Sequence, residues 1–257
     1  PTRFGPSLIS VRSPGLLTAA LGVLDVHEIR LAPQNKLGRD LPHHVASGDG
    51  LHQEDRAGDY AIVPDLGVAS QDDRPILVCS LSFQLPDASF DFQEALPDVC
   101  GPEDLPSERD RALSSGRLNE NFMITTGEDL DVRMVIPIDW HNPEQLPGKL
   151  YNWTRTTGPL ADDPALHRTL LSYFSDTMLL DAGLIQHGRS YRDQELQVAS
   201  LDHAIWFHAD FRADKWLLHT AELERNSGGR TLVRGRFYTR EGVHVATVMQ
   251  QGLMRKR

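Results

Sequence analysis

Ser200, Asp202 and His203 stand within four residues of one another in the stretch SLDHAIWFH, and they are the residue types of a nucleophilic hydrolase. A serine attacks a carbonyl only when an imidazole takes its proton, so the two side chains must meet on one face. In an extended strand an odd spacing sends Ser200 and His203 to opposite faces, which argues against a triad. The same parity separates His203 from His208 and argues against a shared metal site. His43, His44 and His52 fall in a polar stretch, where solvated surface histidines are the expected reading. Cys79 and Cys100 are too few for a disulfide framework and fit a reducing, cytoplasmic compartment.

The chain that must position such groups has 257 residues, room for one large domain or two of roughly 100 to 130 residues. Its 40% hydrophobic and 24% charged residues exclude a collagen-like or wholly disordered chain. No apolar run reaches the roughly 18 to 20 residues of a bilayer span, so no membrane insertion is expected. GLLTAALGVL at 15–24 has the length of a signal-peptide core but is followed by no small-x-small cleavage site. A net charge of −10 disfavours nucleic acid and anionic membranes as partners. The charge is uneven: residues 201–257 hold 10 Lys and Arg against 6 Asp and Glu, which allows a local site for an anionic ligand.

Ser13, Pro14, Leu17, Leu21 and Leu24 predict a capped amphipathic helix over 14–30, whereas 33–72 shows neither helical nor strand periodicity. A dense run of β-formers predicts a strand at 75–83. Pro86, Pro97, Pro102 and Pro106 then mark 85–108 as a linker between two units. Strands are expected at 133–139 and 150–156. Asp163-Pro164 starts a helix whose Leu166, Leu170, Phe174 and Met178 form a buried stripe, with Asp176 some 40° outside its buried sector. Four strands follow at 196–208, 215–224, 230–239 and 243–254, with hairpin turns at 226–229 and 240–242. Two strands, a long helix and four antiparallel strands suggest a sheet wrapped around a helix.

Six blocks in order, SLSFQ (80–84), LPDVCGPEDLPSE (96–108), YFSD (173–176), SLDHAIWFH (200–208), VRGRFYTREG (233–242) and VMQQGLMR (248–255), make the chain resemble the acyl-CoA thioesterase II family. The resemblance runs from about residue 69 to the end. It implies an α+β double hotdog: an N-terminal hotdog over 1–95, a linker over 96–111 and a C-terminal hotdog over 112–257. It departs from the family in the first 68 residues, where the expected Phe-Gly-Gly-Gln, His-Ser-x-His-x-Tyr-Phe and Pro-Gly-Asp runs are absent, so a divergent, incomplete first hotdog is expected.

The resemblance implies hydrolysis of acyl-CoA to a free fatty acid and coenzyme A, in lipid metabolism, without metal or cofactor. It places the catalytic residues at Asp176, Ser200 and Gln250. The trio is chemically sensible: a carboxylate can accept a proton from water, a hydroxyl can relay a hydrogen bond, and an amide can donate and accept. Period two does not say which of Gln250 and Gln251 points inward; the QQGLMR block favours Gln250. Arg189, Arg192, Arg212 and Lys215 are candidates for the phosphates of coenzyme A. The alternatives are a non-catalytic protein that binds acyl-CoA or an acyl carrier, and an enoyl-CoA hydratase, which lacks a matching His-Asp block here. An open sheet edge and one apolar face predict self-association, so a homo-oligomer is expected.

Overall fold

The computed structural model describes residues 5–12, 63–71 and 74–84 as strands, and residues 89–117 and 128–257 with their side chains. The expected 14–30 helix, most of the 33–72 stretch and His43, His44 and His52 lie outside the described residues. Among the described residues, ten strands form one curled antiparallel sheet: β1 (Gly5–Arg12), β2 (Val63–Gln71), β3 (Arg74–Gln84), β4 (Leu130–Met134), β5 (Lys149–Thr156), β6 (Leu196–Ser200), β7 (Asp202–Phe207), β8 (Leu217–Ser227), β9 (Arg230–Thr239) and β10 (His244–Lys256). Their order is β2-β3-β1-β7-β10-β9-β8-β5-β4, with β6 beside β10. β1 hydrogen-bonds to β7, from Leu8 opposite Trp206 to Arg12 opposite Asp202, so the N-terminal strands and the C-terminal sheet are continuous.

The concave face holds α2 (Pro164–Ser175) and α3 (Asp181–Ile185); a short helix, α1 (Glu108–Ser114), lies earlier in the chain. The Asp163 carboxylate accepts from Ala165 N–H at 3.0 Å and Pro164 occupies the first turn, so α2 starts where the sequence predicts. Its end differs. The helix stops at Ser175, Asp176 is its C-cap, and Met178 takes a left-handed conformation with φ 64°. Leu180 therefore does not continue the helical wheel. The buried stripe is His167, Leu171 and Phe174, one position round from the expected Leu166 and Leu170, which are half-buried. Leu171, Leu179, Ile185, Ile205, Leu217, Val233, Phe237 and Val248, all at 1% exposure or less, make the core between helix and sheet.

The strand expected at 133–139 lies at Leu130–Met134. Pro137 has no N–H for the ladder, and Leu130, Val132 and Met134 already place their apolar side chains inward. The proline-rich stretch is a docked strap. Trp153 Nε1 donates to Cys100 O at 2.9 Å, and Arg133 Nη1 donates to Pro102 O at 2.8 Å. Leu96, Val99 and Leu105 pack on Trp153, Leu218 and Tyr238, covering the sheet face away from α2. Cover on both sides explains why β8 is buried continuously from Leu217 to Ala221 instead of alternating. The turn at 226–229 holds Gly228 and Gly229 at φ 59° and 73°, the paired positive φ of a tight hairpin that L side chains resist.

Candidate active site

The site forms where α2 ends over the middle of β10. Val248, Gln250 and Gly252 are buried while Met249 and Gln251 are half-buried, so Gln250 faces the helix at 1% exposure. Its Nε2 donates to Asp176 Oδ1 at 2.5 Å. An ionised carboxylate only accepts, so the amide nitrogen must be the atom facing it. That leaves Gln250 Oε1 buried with no protein partner among the described residues, an acceptor beside the carboxylate.

Ser200 stands directly opposite Gly252 in the β6–β10 ladder, so it shares the inner face with Gln250, two residues or ~7 Å further along. The strand expected at 196–208 is interrupted at Leu201, and the register changes there: Ala204 pairs with Met249, but Ser200 pairs with Gly252. Four residues on one strand therefore span three on the other, a β-bulge. The extra residue cancels the parity argument made from sequence. Ser200, His203 and Ile205 all belong to the inner face, whereas His208 is exposed on the other side.

His203 still does not serve Ser200. Its Nε2 lies 2.8 Å from Ser175 Oγ, which itself donates to Ser172 O at 2.7 Å. Ser175 must then accept, which fixes the proton on His203 Nε2. Burial lowers the pKa of His203, opposed by the charges of Asp176 and Asp202, so the ring is neutral beside the Asp176 carboxylate. Next to it, His219 stacks on Phe237 at 4.2 Å between ring centroids, and burial pushes its pKa down to about 3. Local periodicity carries no signal for this Ser175–His203 contact, which joins residues 28 apart on a helix end and a strand.

Two further groups border the site. Asp181, at 1% exposure, has neither carboxyl oxygen partnered among the described residues, and burial raises its pKa to about 7. Tyr191, on the loop after α3, has its pKa raised well above the ordinary value by burial and then by the charges of Asp181 and Asp176. The residue as a whole is 44% exposed. Of the four cations named from sequence, Arg212 is a structural clamp, bound to both oxygens of Asp214 at 3.0 Å and to Leu160 O at 2.9 Å. Arg189 pairs with Asp193 at 2.5 Å; Arg192 and Lys215 are exposed.

Asp181 yields a stability prediction whose sign follows from its raised pKa. Between about pH 4 and pH 7 the unfolded chain has released a proton that the folded chain retains, so this group's contribution to stability is lost as pH rises through that window. Asp181→Asn removes the titration. Its stability relative to the parent should be near zero at pH 4 and favour the variant by about 4 kcal/mol at pH 8. Denaturant melts at the two pH values check this, and a difference independent of pH would contradict it. His219 titrates equally in both proteins and cancels.

A curled antiparallel sheet with few helices fits the hotdog fold of the solved structures that this chain resembles. The chain belongs to the acyl-CoA thioesterase family, whose sequence profile matches residues 125–253. It is 32% identical to acyl-CoA thioesterase 2 of Haemophilus influenzae over 73% of its own length, and spans 66% of the length of that relative. Among solved structures, acyl-CoA thioesterase II TesB2 from Mycobacterium marinum is 27% identical, with a TM-score of 0.66 over 100% of this chain and 83% of that one. A hot dog fold protein from Alicyclobacillus acidocaldarius, 17% identical with a TM-score of 0.58, covers 100% of this chain and 81% of its own and shares the fold. Among the described residues, no helix is long and apolar enough to cross a membrane.

Proposed function

We propose that the protein hydrolyses acyl-CoA thioesters in the cytoplasm, as part of fatty acid metabolism, using water activated by Asp176 and held by Gln250 and Ser200. The observation that supports this reading is the Gln250–Asp176 contact, which leaves one amide oxygen and one carboxylate side by side at a helix end. Asp176 takes the proton of a water that Gln250 Oε1 and the Ser200 hydroxyl orient. The water oxygen attacks the thioester carbonyl, and collapse of the tetrahedral intermediate expels the coenzyme A thiolate. His203 is a positioning residue, tying the last turn of α2 to β7 through Ser175. The pairing of β1 with β7 supports a double hotdog, with β1–β3 belonging to the first unit. Self-association of such units is part of the reading.

Free-thiol release from acyl-CoAs of several chain lengths tests it, with crotonyl-CoA hydration followed in parallel. Thiol release without hydration is expected; hydration without thiol release would select the hydratase. Ser200→Ala should lower turnover by about tenfold or more while acyl-CoA affinity stays within a factor of a few, because the hydroxyl holds water and not the ligand. A parent protein that binds acyl-CoA in calorimetry but releases no thiol would instead be a carrier.

A further inference from the structure

The candidate site leaves one pair of histidines unused, on the sheet face away from α2. His208 follows β7 and His244 opens β10, and their rings meet edge to face at 4.8 Å between centroids. Both converge on one hydroxyl. Thr247 Oγ1 lies 2.8 Å from His208 Nε2 and 3.1 Å from His244 Nε2. His244 Nε2 also lies 3.1 Å from Ala246 O, and a carbonyl only accepts, so that nitrogen carries a proton. The Thr247 hydroxyl then accepts from His244 and donates to His208 Nε2, the one arrangement that gives its proton an acceptor among the described residues. His208 must be neutral for the chain to close.

The turn that His244 ends also holds the strap. Gln93 Nε2 donates to Gly242 O at 2.6 Å, and His244 N–H donates to Gln93 Oε1 at 3.0 Å. Phe90 and Phe92, just before Gln93, are exposed and fasten nothing. Glu94 pairs with Arg236 at 3.2 Å, and Arg240 of the turn pairs with Glu103. The groups that face His244 are therefore Glu94 from the strap, Arg236 and Tyr238 from β9, and His208 from the end of β7. Tyr238 stacks on its ring at 4.8 Å. Burial, then His208 and Arg236, hold the pKa of His244 down against the Ala246 carbonyl and Glu94, and burial lowers that of His208. A proton added to His208 Nε2 turns an acceptor into a donor. Two imidazole N–H groups then aim at one oxygen, the hydroxyl proton loses its acceptor, and a cation lies against the second ring.

We propose that His208, Thr247 and His244 form an acid-released latch for the leading end of the strap: with both rings neutral they fix the turn on which Gln93 hangs, and protonation frees residues 89–95. The latch lies on the face away from Asp176 and does not depend on the thioesterase reading. Its sign follows from two folded-state pKa values below the ordinary 6.5, so the contribution is complete above that pH and is lost as pH falls below it. The amide of His244 is the reporter, because its N–H is the bond to Gln93. Its exchange protection, corrected for the intrinsic rate, should fall about tenfold between about pH 8 and about pH 5, while the β9 amides stay protected. His208→Gln changes an exposed side chain and should reduce that fall to about twofold. Gln93→Ala should leave the His244 amide unprotected at both pH values. Constant protection in the parent, the full acid loss in His208→Gln, or a protected His244 amide in Gln93→Ala would overturn the proposal.

Discussion

Asp176→Asn is expected to lower kcat for thioester hydrolysis by on the order of 10² or more without unfolding the protein. Asparagine keeps the shape and can still present an oxygen to Gln250 Nε2, so the contact at the end of α2 survives. It cannot take the proton of a water at neutral pH. The loss should therefore fall on kcat, with KM changed much less. Near-normal turnover in a variant that melts like the parent would remove Asp176 from the chemistry and leave its bond to Gln250 as a structural link only.

Gly252→Val is expected to destabilise the protein by about 3 kcal/mol and to lower turnover with it. A Cβ at Gly252 would come within 2.6 Å of Leu180 Cδ1, 3.0 Å of Leu180 Cδ2 and 3.2 Å of Thr231 Cγ2. Leu180 is 3% exposed and follows the left-handed Met178 in the turn that leaves Asp176, so displacing it pushes on the carboxylate four residues before. Combining Gly252→Val with Leu180→Ala should cost less than the sum of the single changes, because each relieves the other's misfit. Additive losses in denaturant melts would show that Gly252 and Leu180 do not share this space.

Local rules carry far in the second half of this chain. The limits of β5, β9 and β10, the start of α2 and both hairpin turns follow from apolar runs, an Asp-Pro cap and Gly-bearing breaks. What is not legible depends on tertiary contacts. The early stop of α2 is decided by Met178 turning left-handed so that Leu179 and Leu180 can enter the core. The strap at 96–105 looks like a tether because its prolines break both helix and strand, yet those breaks leave its backbone carbonyls open to Arg133 and Trp153. The bulge between β6 and β7 carries the same lesson for the site. Period two places Ser200 and His203 on opposite faces, and one unpaired residue puts them on the same one.

Of the site itself, the family resemblance named Asp176, Ser200 and Gln250, and the fold explains why the inward glutamine is Gln250: it alternates with Val248 and Gly252 on the buried face. Ser175, Asp181 and Tyr191 carry no signal of their own in the sequence, and His203 stands out there only beside Ser200, which it does not contact. Ser175, His203 and Asp181 become notable through burial close to Asp176.

A single turnover in ¹⁸O-water, with protein in excess over an acyl-CoA, tests direct attack by an activated water. Mass spectrometry of the released acid and of the peptide containing Asp176 reads where the label goes. Thiol release with one ¹⁸O in the fatty acid, none in the Asp176 carboxylate and no acyl adduct on the peptide is the expected result. Label or an acyl group on Asp176 would contradict it, since the carboxylate would then be a nucleophile and not the base that Gln250 holds in place.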